Sequence, residues 1–208
     1  MKINPLVVDL SHYDRISSLL QAKKAGIVGV IHKATEGPGM VDTFYARRRD
    51  PVREHGVLFG AYHFLRPGSV AMQVAHFLSV VGDDPKALLA LDHEDPKVPL
   101  ENAVEFLQRV YADIKRWPIL YSGFLLKEQI EKHGGPPDWG PIRLWLAHYN
   151  EHPSWPNHWK QPFLWQFTGD GEGPRPHNIP GIVIEGSAGI DINSYAGTAD
   201  ELAKEWVL

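Results

Sequence analysis

Short apolar runs recur along the chain, and nearly every one ends in polar residues. Pro5-Leu6-Val7-Val8 stops at Asp9, and Ile27-Val28-Gly29-Val30-Ile31 stops at His32-Lys33. Leu58 to Phe64 is closed by Arg66-Pro67-Gly68, and Leu88-Leu89-Ala90-Leu91 runs into Asp92-His93-Glu94-Asp95. Pro118-Ile119-Leu120-Tyr121, Leu144-Trp145-Leu146-Ala147, Phe163-Leu164-Trp165-Gln166-Phe167 and Ile190-Asp191-Ile192-Asn193 complete the series. Runs of this length, bounded by Pro and Gly, read as buried strands.

Between the early runs the apolar period lengthens to that of a helix. One helix is expected from about Asp14, with Ile16, Leu19 and Leu20 on one face and Gly26 as its stop. A second is expected from Phe44 to Glu54, kinked or broken at Pro51. Val74, Phe77, Leu78 and Val81 give the i, i+3, i+4, i+7 face of a third. A fourth runs from about Glu101 to Arg116 with Val104, Leu107, Tyr111 and Ile114 inward, and a fifth from Leu125 to His133. Thr198 and Glu201 form a capping box for a closing helix whose inner face is Ala199, Leu202, Ala203 and Trp206. Pro-, Trp- and Gly-rich segments replace helices between the last three strands.

Eight strands, the early ones alternating with helices, imply an α/β chain whose parallel sheet closes into a barrel. The expected fold is an irregular (β/α)8-like TIM barrel with fewer helices in its second half, one domain over residues 1–208. An open flavodoxin-like sheet is the alternative architecture. In a closed barrel the C-terminal strand ends share one rim, and functional groups gather there.

Composition narrows the function. A net charge of −4 without a basic stripe argues against nucleic acid. Arg47-Arg48-Arg49 reads as a solvated helix face. The chain has no cysteine, which removes disulfide and thiolate chemistry. The start shows no secretory leader, and no segment has the length of a membrane span. The expectation is a monomer made in the cytoplasm, without stable membrane association, that reaches its substrate after release or leaderless export. Weak retention on an anionic surface follows from the same charge.

Asp92 and Glu94 are two apart on a strand and so share a face. Two carboxylates at the end of a buried strand disfavour joint ionisation, and one then serves as an acid near neutral pH. The competing explanation is that Asp92, Glu94 and Asp95 only complement the dipole of the following helix. Asp9 and Asp191 add acids at other strand ends, and acids in this arrangement suit glycosidic hydrolysis. Tyr62, Phe64, Tyr121, Trp145, Tyr149 and Trp165 offer surfaces for sugar stacking. Lys33, Glu36 and Gln166 are polar strand-tip residues and join the candidate binding set. His12, His32, His63, His93 and His148 also lie near strand tips, but without ligand spacing, so no metal and no cofactor is expected. Gly169-Asp170-Gly171-Glu172-Gly173 reads as a flexible turn.

Eight of these segments, in order, resemble glycoside hydrolase family 25, the Chalaropsis-type muramidases that also occur as phage endolysins. They are Val8-Asp9-Leu10-Ser11-His12, Lys33-Ala34-Thr35-Glu36-Gly37, Gly60-Ala61-Tyr62-His63-Phe64, Leu91-Asp92-His93-Glu94, Pro118 to Gly123, Leu144 to Tyr149, Trp165-Gln166-Phe167 and Ile190 to Asn193. The resemblance implies an irregular barrel that cleaves the β-1,4 bond from N-acetylmuramic acid to N-acetylglucosamine in peptidoglycan glycan strands, without a metal. It implies Glu94 as general acid, Asp92 as the partner that steadies the substrate acetamido group, and Asp9 and Asp191 as the other site acids. A barrel that binds cell-wall glycan without cutting it, and a chitinase or other hexosaminidase, are the alternatives.

Overall fold

The computed structural model describes residues 6–184 and 189–207. Pro5, where the first apolar run begins, lies outside them. In chain order the elements are β1 (Leu6–Leu10), β2 (Asp14–Ile16), α1 (Leu19–Lys24), β3 (Ile27–Glu36), β4 (Met40–Val41) and α2 (Tyr45–Glu54). They continue with β5 (Leu58–Phe64), α3 (Val70–Val81), β6 (Leu88–Asp92), α4 (Leu100–Ile114), β7 (Ile119–Ser122) and α5 (Phe124–His133). The chain finishes with β8 (Leu144–Ala147), β9 (Leu164–Thr168), β10 (Ile182–Ile184), β11 (Ile192–Ser194) and α6 (Ala199–Glu205).

β1, β3, β5, β6, β7, β8 and β9 pair side by side in parallel, and β11 closes the barrel between β9 and β1. The closure differs from the expected all-parallel sheet: β11 is antiparallel to both neighbours. Among the described residues no helix lies between β9 and β11 to carry the chain back along the barrel, and β11 enters from the rim where the parallel strands end.

Alternation along each strand sorts the core into two layers. Outward residues such as Val8, Val30, Phe59, Leu89, Leu91, Leu120 and Leu144 meet the helices. Inward residues Val7, Ile31, Leu88, Ala90, Ile119, Trp145 and Leu164 fill the barrel. Trp206, just past α6, plugs its lower end and donates its indole N–H to the Phe59 carbonyl at 3.1 Å. Gly29 and Gly60 make room for that indole. A Cβ on Gly29 would lie 3.0 Å from the ring, and one on Gly60 would lie 3.4 Å from it and 3.0 Å from the Leu88 carbonyl.

Several helix expectations are corrected. The segment from Asp14 begins as β2, paired with β10, and Ser18 caps a shorter α1 that leaves Leu20 exposed. α2 runs through Pro51 without breaking. α4 buries Leu100, Ala103, Phe106, Leu107 and Val110, a face rotated from the expected one. Tyr111 and Ile114 are exposed, and Tyr111 stacks on Trp117 at 4.2 Å. Ala103 on that buried face is too small to stand out in an apolar count. In α6 the capping box forms, but only Leu202 is buried, with Trp206 beyond it; Ala199 and Ala203 are exposed. Among the described residues no helix is long and apolar enough to cross a membrane.

Candidate active site

The uppermost inward residues of the strands form the floor of the site. Phe64 pairs in register with Asp92, and Asp92 with Tyr121. Ala147 pairs with Gln166. An irregularity in β3 between Lys33 and Thr35 inserts one residue, so that both Lys33 and Glu36 turn to the same side and form an ion pair. Above this floor opens a cavity of about 460 Å³ lined by Glu94, Tyr121, Phe124, His148, Tyr149 and Asn150, among others.

The four acids share this rim, although not for the reason the sequence suggests. Asp191 stands at the start of β11, not at the end of a strand. Because β11 runs antiparallel, its start lies at the rim where the parallel strands end. Asp191 is therefore the neighbour of Asp9, whose backbone N–H donates to the Asp191 carbonyl at 3.3 Å. Asp92 and Glu94 stand three strands round the barrel from Asp9.

Asp9 is the best-anchored acid. It accepts from Gln166 Nε2 at 3.0 and 3.2 Å and from Asn193 Nδ2 at 2.7 Å. The Gln166 amide is oriented because Tyr121 and Tyr149 both donate to its Oε1, at 2.8 and 3.0 Å. Asn193 is oriented in turn by the Trp145 indole N–H on its Oδ1. Burial raises the Asp9 pKa to about 7, against the pull of Asn193 and Gln166. Asp191 is raised to about 9 by burial, then by the charges of Asp9 and Asp170.

Asp92 is buried, and its Oδ1 has no hydrogen-bond partner among the described residues. Burial and the Glu94 charge push its pKa well up, and Lys33 opposes them. Glu94 extends from the mouth of the cavity with its side chain exposed to solvent at one edge. Its pKa is also raised, chiefly by desolvation, with Asp170 and Glu36 adding to it and Lys33 and Arg66 opposing. Crowding by neighbouring carboxylates is felt mainly by Asp92. On Glu94 the carboxylates that weigh most are Asp170 and Glu36.

Some expected sugar contacts are supports instead. Trp145 is buried in the barrel and positions Asn193, and Gln166 is buried beneath the rim. Trp165 points outward, packs on Phe167 and donates to the His148 carbonyl at 2.8 Å. Tyr62 lies in the barrel mouth, edge-on to Trp145 at 6.4 Å. Phe64 carries Lys33 and Arg66 over its ring at 4.7 and 4.4 Å. Tyr121 and Tyr149 do line the cavity, and so does Phe124, which is 66% exposed and escapes a sequence reading because it is the first residue of α5.

His32 and His63 are structural. His32 meets Arg48 at 2.8 Å, and His63 lies between Thr35 and Gln73 and stacks on Phe106. Burial lowers both to a pKa of about 4. Among the described residues no group of three or more His, Cys, Asp or Glu is arranged to hold a metal ion. The Gly169–Gly173 segment is a tight turn, not a loose one. Gly169 and Glu172 bridge each other, with Asp170 and Gly171 at φ 51° and 81° between them. Asp-Gly at those two positions was the available signal for a hairpin turn. Asn193 had a signal too, since it lies two residues from Asp191 on one strand face.

Comparison with known proteins places this arrangement. The family model for glycosyl hydrolases family 25 matches residues 8–175, which include Asp9, Asp92 and Glu94. The chain is 29% identical over 184 residues to the uncharacterized protein YegX of Escherichia coli strain K12, covering 82% of this chain and 60% of YegX. It thus spans about three fifths of that curated relative. A family GH25 lysozyme from Aspergillus fumigatus superposes with a TM-score of 0.76 at 25% identity, covering 98% of this chain and 99% of that one. A bacterial lysozyme from Streptomyces coelicolor gives 0.77 at 22% identity, covering 97% and 96%. With the match running through most of the barrel and three of the four rim acids, the chain belongs to glycosyl hydrolases family 25.

Proposed function

We propose that this barrel is a muramidase that hydrolyses the β-1,4 bond from N-acetylmuramic acid to N-acetylglucosamine in peptidoglycan. The observation that carries the reading is the pair on β6 and its extension. Glu94 stands at the open mouth, and Asp92 lies beneath it on the same side with a buried oxygen that has no partner among the described residues. A group that costs free energy to bury unsatisfied calls for a donor from the substrate.

The acetamido N–H of the sugar supplies such a donor. In this mechanism Glu94 gives its proton to the leaving glycosidic oxygen as the C1–O bond breaks. The substrate's own acetamido oxygen forms the new bond to C1 from the opposite face. Asp92 holds the acetamido N–H and becomes the counter-ion as that group gains positive charge. Water then opens the ring, losing its proton to the Glu94 carboxylate. Two inversions give net retention. Asp92 and Glu94 approach from one side of the sugar, which suits neither a water-activating base across the ring nor a protein nucleophile there. The solved structures named as lysozymes support the same reaction class. An NMR time course of glycan cleavage tests the mechanism: the β anomer appears first, and an α anomer appearing first overturns it.

A further inference from the structure

Glu94 is flanked in sequence by two residues that are fixed from outside the cavity. On one side, His93 Nε2 meets Gln129 Oε1 of α5 at 2.6 Å. On the other, Asp95 accepts from Arg66 Nη1 at 2.9 Å. The same guanidinium reaches Glu36 Oε1 through Nε at 2.8 Å and Nη2 at 2.7 Å. The other Glu36 oxygen takes Lys33. One side chain from the end of β5 thus joins the end of β3 to the residue next to Glu94.

Arg66 is itself held. Gln73, fully buried in α3, accepts from the Arg66 backbone N–H at 3.0 Å and donates to its carbonyl at 2.7 Å. We propose that Arg66 is a positioning residue for the reaction, its fork pinning Asp95 and Glu36 so that Glu94 keeps both its place and its electrostatic counterweight. The proposal rests on the assignment of Glu94 as the acid.

Charge matters as much as geometry. Lys33 and Arg66 offset Glu36 and Asp95, so the cluster is neutral beside Glu94. Glu94 is further faced by Asp92 on its own strand end, by Asp170 from the turn after β9, by Asp9 and Asp191 across the rim, and by Tyr121, His148 and Tyr149 on the cavity wall. The aspartates among them favour the protonated acid. Loss of Arg66 leaves the cluster net negative and favours the protonated acid to higher pH. The Arg66 side chain is 43% exposed, and an ion pair so open to water adds little to stability. Its loss is therefore read in the reaction and not in the melt.

Arg66→Met and Arg66→Lys test this against the parent protein, with kcat and KM on purified glycan across pH and the Glu94 carboxyl followed by 13C NMR with Glu94→Gln to assign it. In Arg66→Met the alkaline limb and the Glu94 titration both move up by about half a pH unit. kcat falls by about tenfold while KM stays within about twofold. Arg66→Lys restores the limb but not kcat, because a single ammonium keeps the charge without the fork. An unmoved Glu94 titration in Arg66→Met overturns the proposal, and so does a loss of activity matched by a lower melting temperature with an unmoved limb. If the parent protein cuts no peptidoglycan, the proposed function fails, and the NMR titration still decides the role of Arg66.

Discussion

Gly169 tests how tightly the site is built. A Cβ at this position would lie 2.3 Å from Asp191 Oδ1, 2.4 Å from the Tyr149 hydroxyl and 2.7 Å from Tyr149 Cζ. Ordinary contact begins near about 3.4 Å, so Gly169→Ala demands a displacement of about 1 Å. The turn resists giving way, because Glu172 N–H donates to the Gly169 carbonyl at 2.8 Å. Asp191 and Tyr149 must then move, and Tyr149 carries Gln166 and hence Asp9 with it. Overpacking of this kind costs about 1–3 kcal/mol, or about 2–10 °C in Tm for a chain of this size. A misplacement of about 1 Å at a catalytic centre costs up to about a hundredfold in rate. Initial rates on purified peptidoglycan, set beside a thermal melt, measure both. A kcat within twofold of the parent would refute the claim that Asp191 and the Tyr149–Gln166–Asp9 chain must hold their positions.

Two further outcomes follow from other parts of the molecule. Trp206→Ala empties the lower end of the barrel and is expected to cost about 3–5 kcal/mol, seen as a fall of about 10 °C in Tm; kcat of the folded protein stays within about twofold, since the site is at the other end. Asp191 and Asp9, raised to about 9 and about 7, contribute stability that is fully present below pH 4 and is lost as pH rises through those values. His32 and His63, lowered to about 4, act in the opposite sense but only below about pH 6.5. Tm is therefore expected to fall between pH 7 and 9, and Asp191→Asn to raise Tm at pH 9 by about 2–5 °C while lowering activity. A Tm that rises over that interval would contradict the assigned burial of these carboxyls.

Much of the barrel was legible because each strand carries its own stop. The apolar runs ending at Asp9, Lys33, Asp92 and Tyr121 are read from local pattern alone, and their inward alternation puts those residues at one rim. The direction of β11 was not legible. Ile190-Asp191-Ile192-Asn193 has the same pattern read either way, and only its pairing with β1 and β9 orients it. Asp191 keeps its place on the rim because it precedes an antiparallel strand.

The aromatics show a second limit. Trp145, Trp165 and Tyr149 lie within 21 positions and look alike as candidate stacking surfaces. Tertiary structure makes the first a barrel filler, the second an outer packing residue and the third a cavity wall. Asp170 and Arg66 were read only as parts of turns, because their influence on Glu94 crosses from other strands and leaves no mark in local spacing.

The central claim is that Glu94 drives cleavage at N-acetylmuramic acid. Purified peptidoglycan digested with the parent protein and with Glu94→Gln, reduced with borohydride and read by mass spectrometry, tests it most directly. The parent digest should carry reduced N-acetylmuramic acid at its new ends, and the Glu94→Gln digest, from protein with an unchanged melt, should show a loss of at least about a hundredfold, as removal of a general acid does. New ends at N-acetylglucosamine, or full activity in Glu94→Gln, would contradict the account.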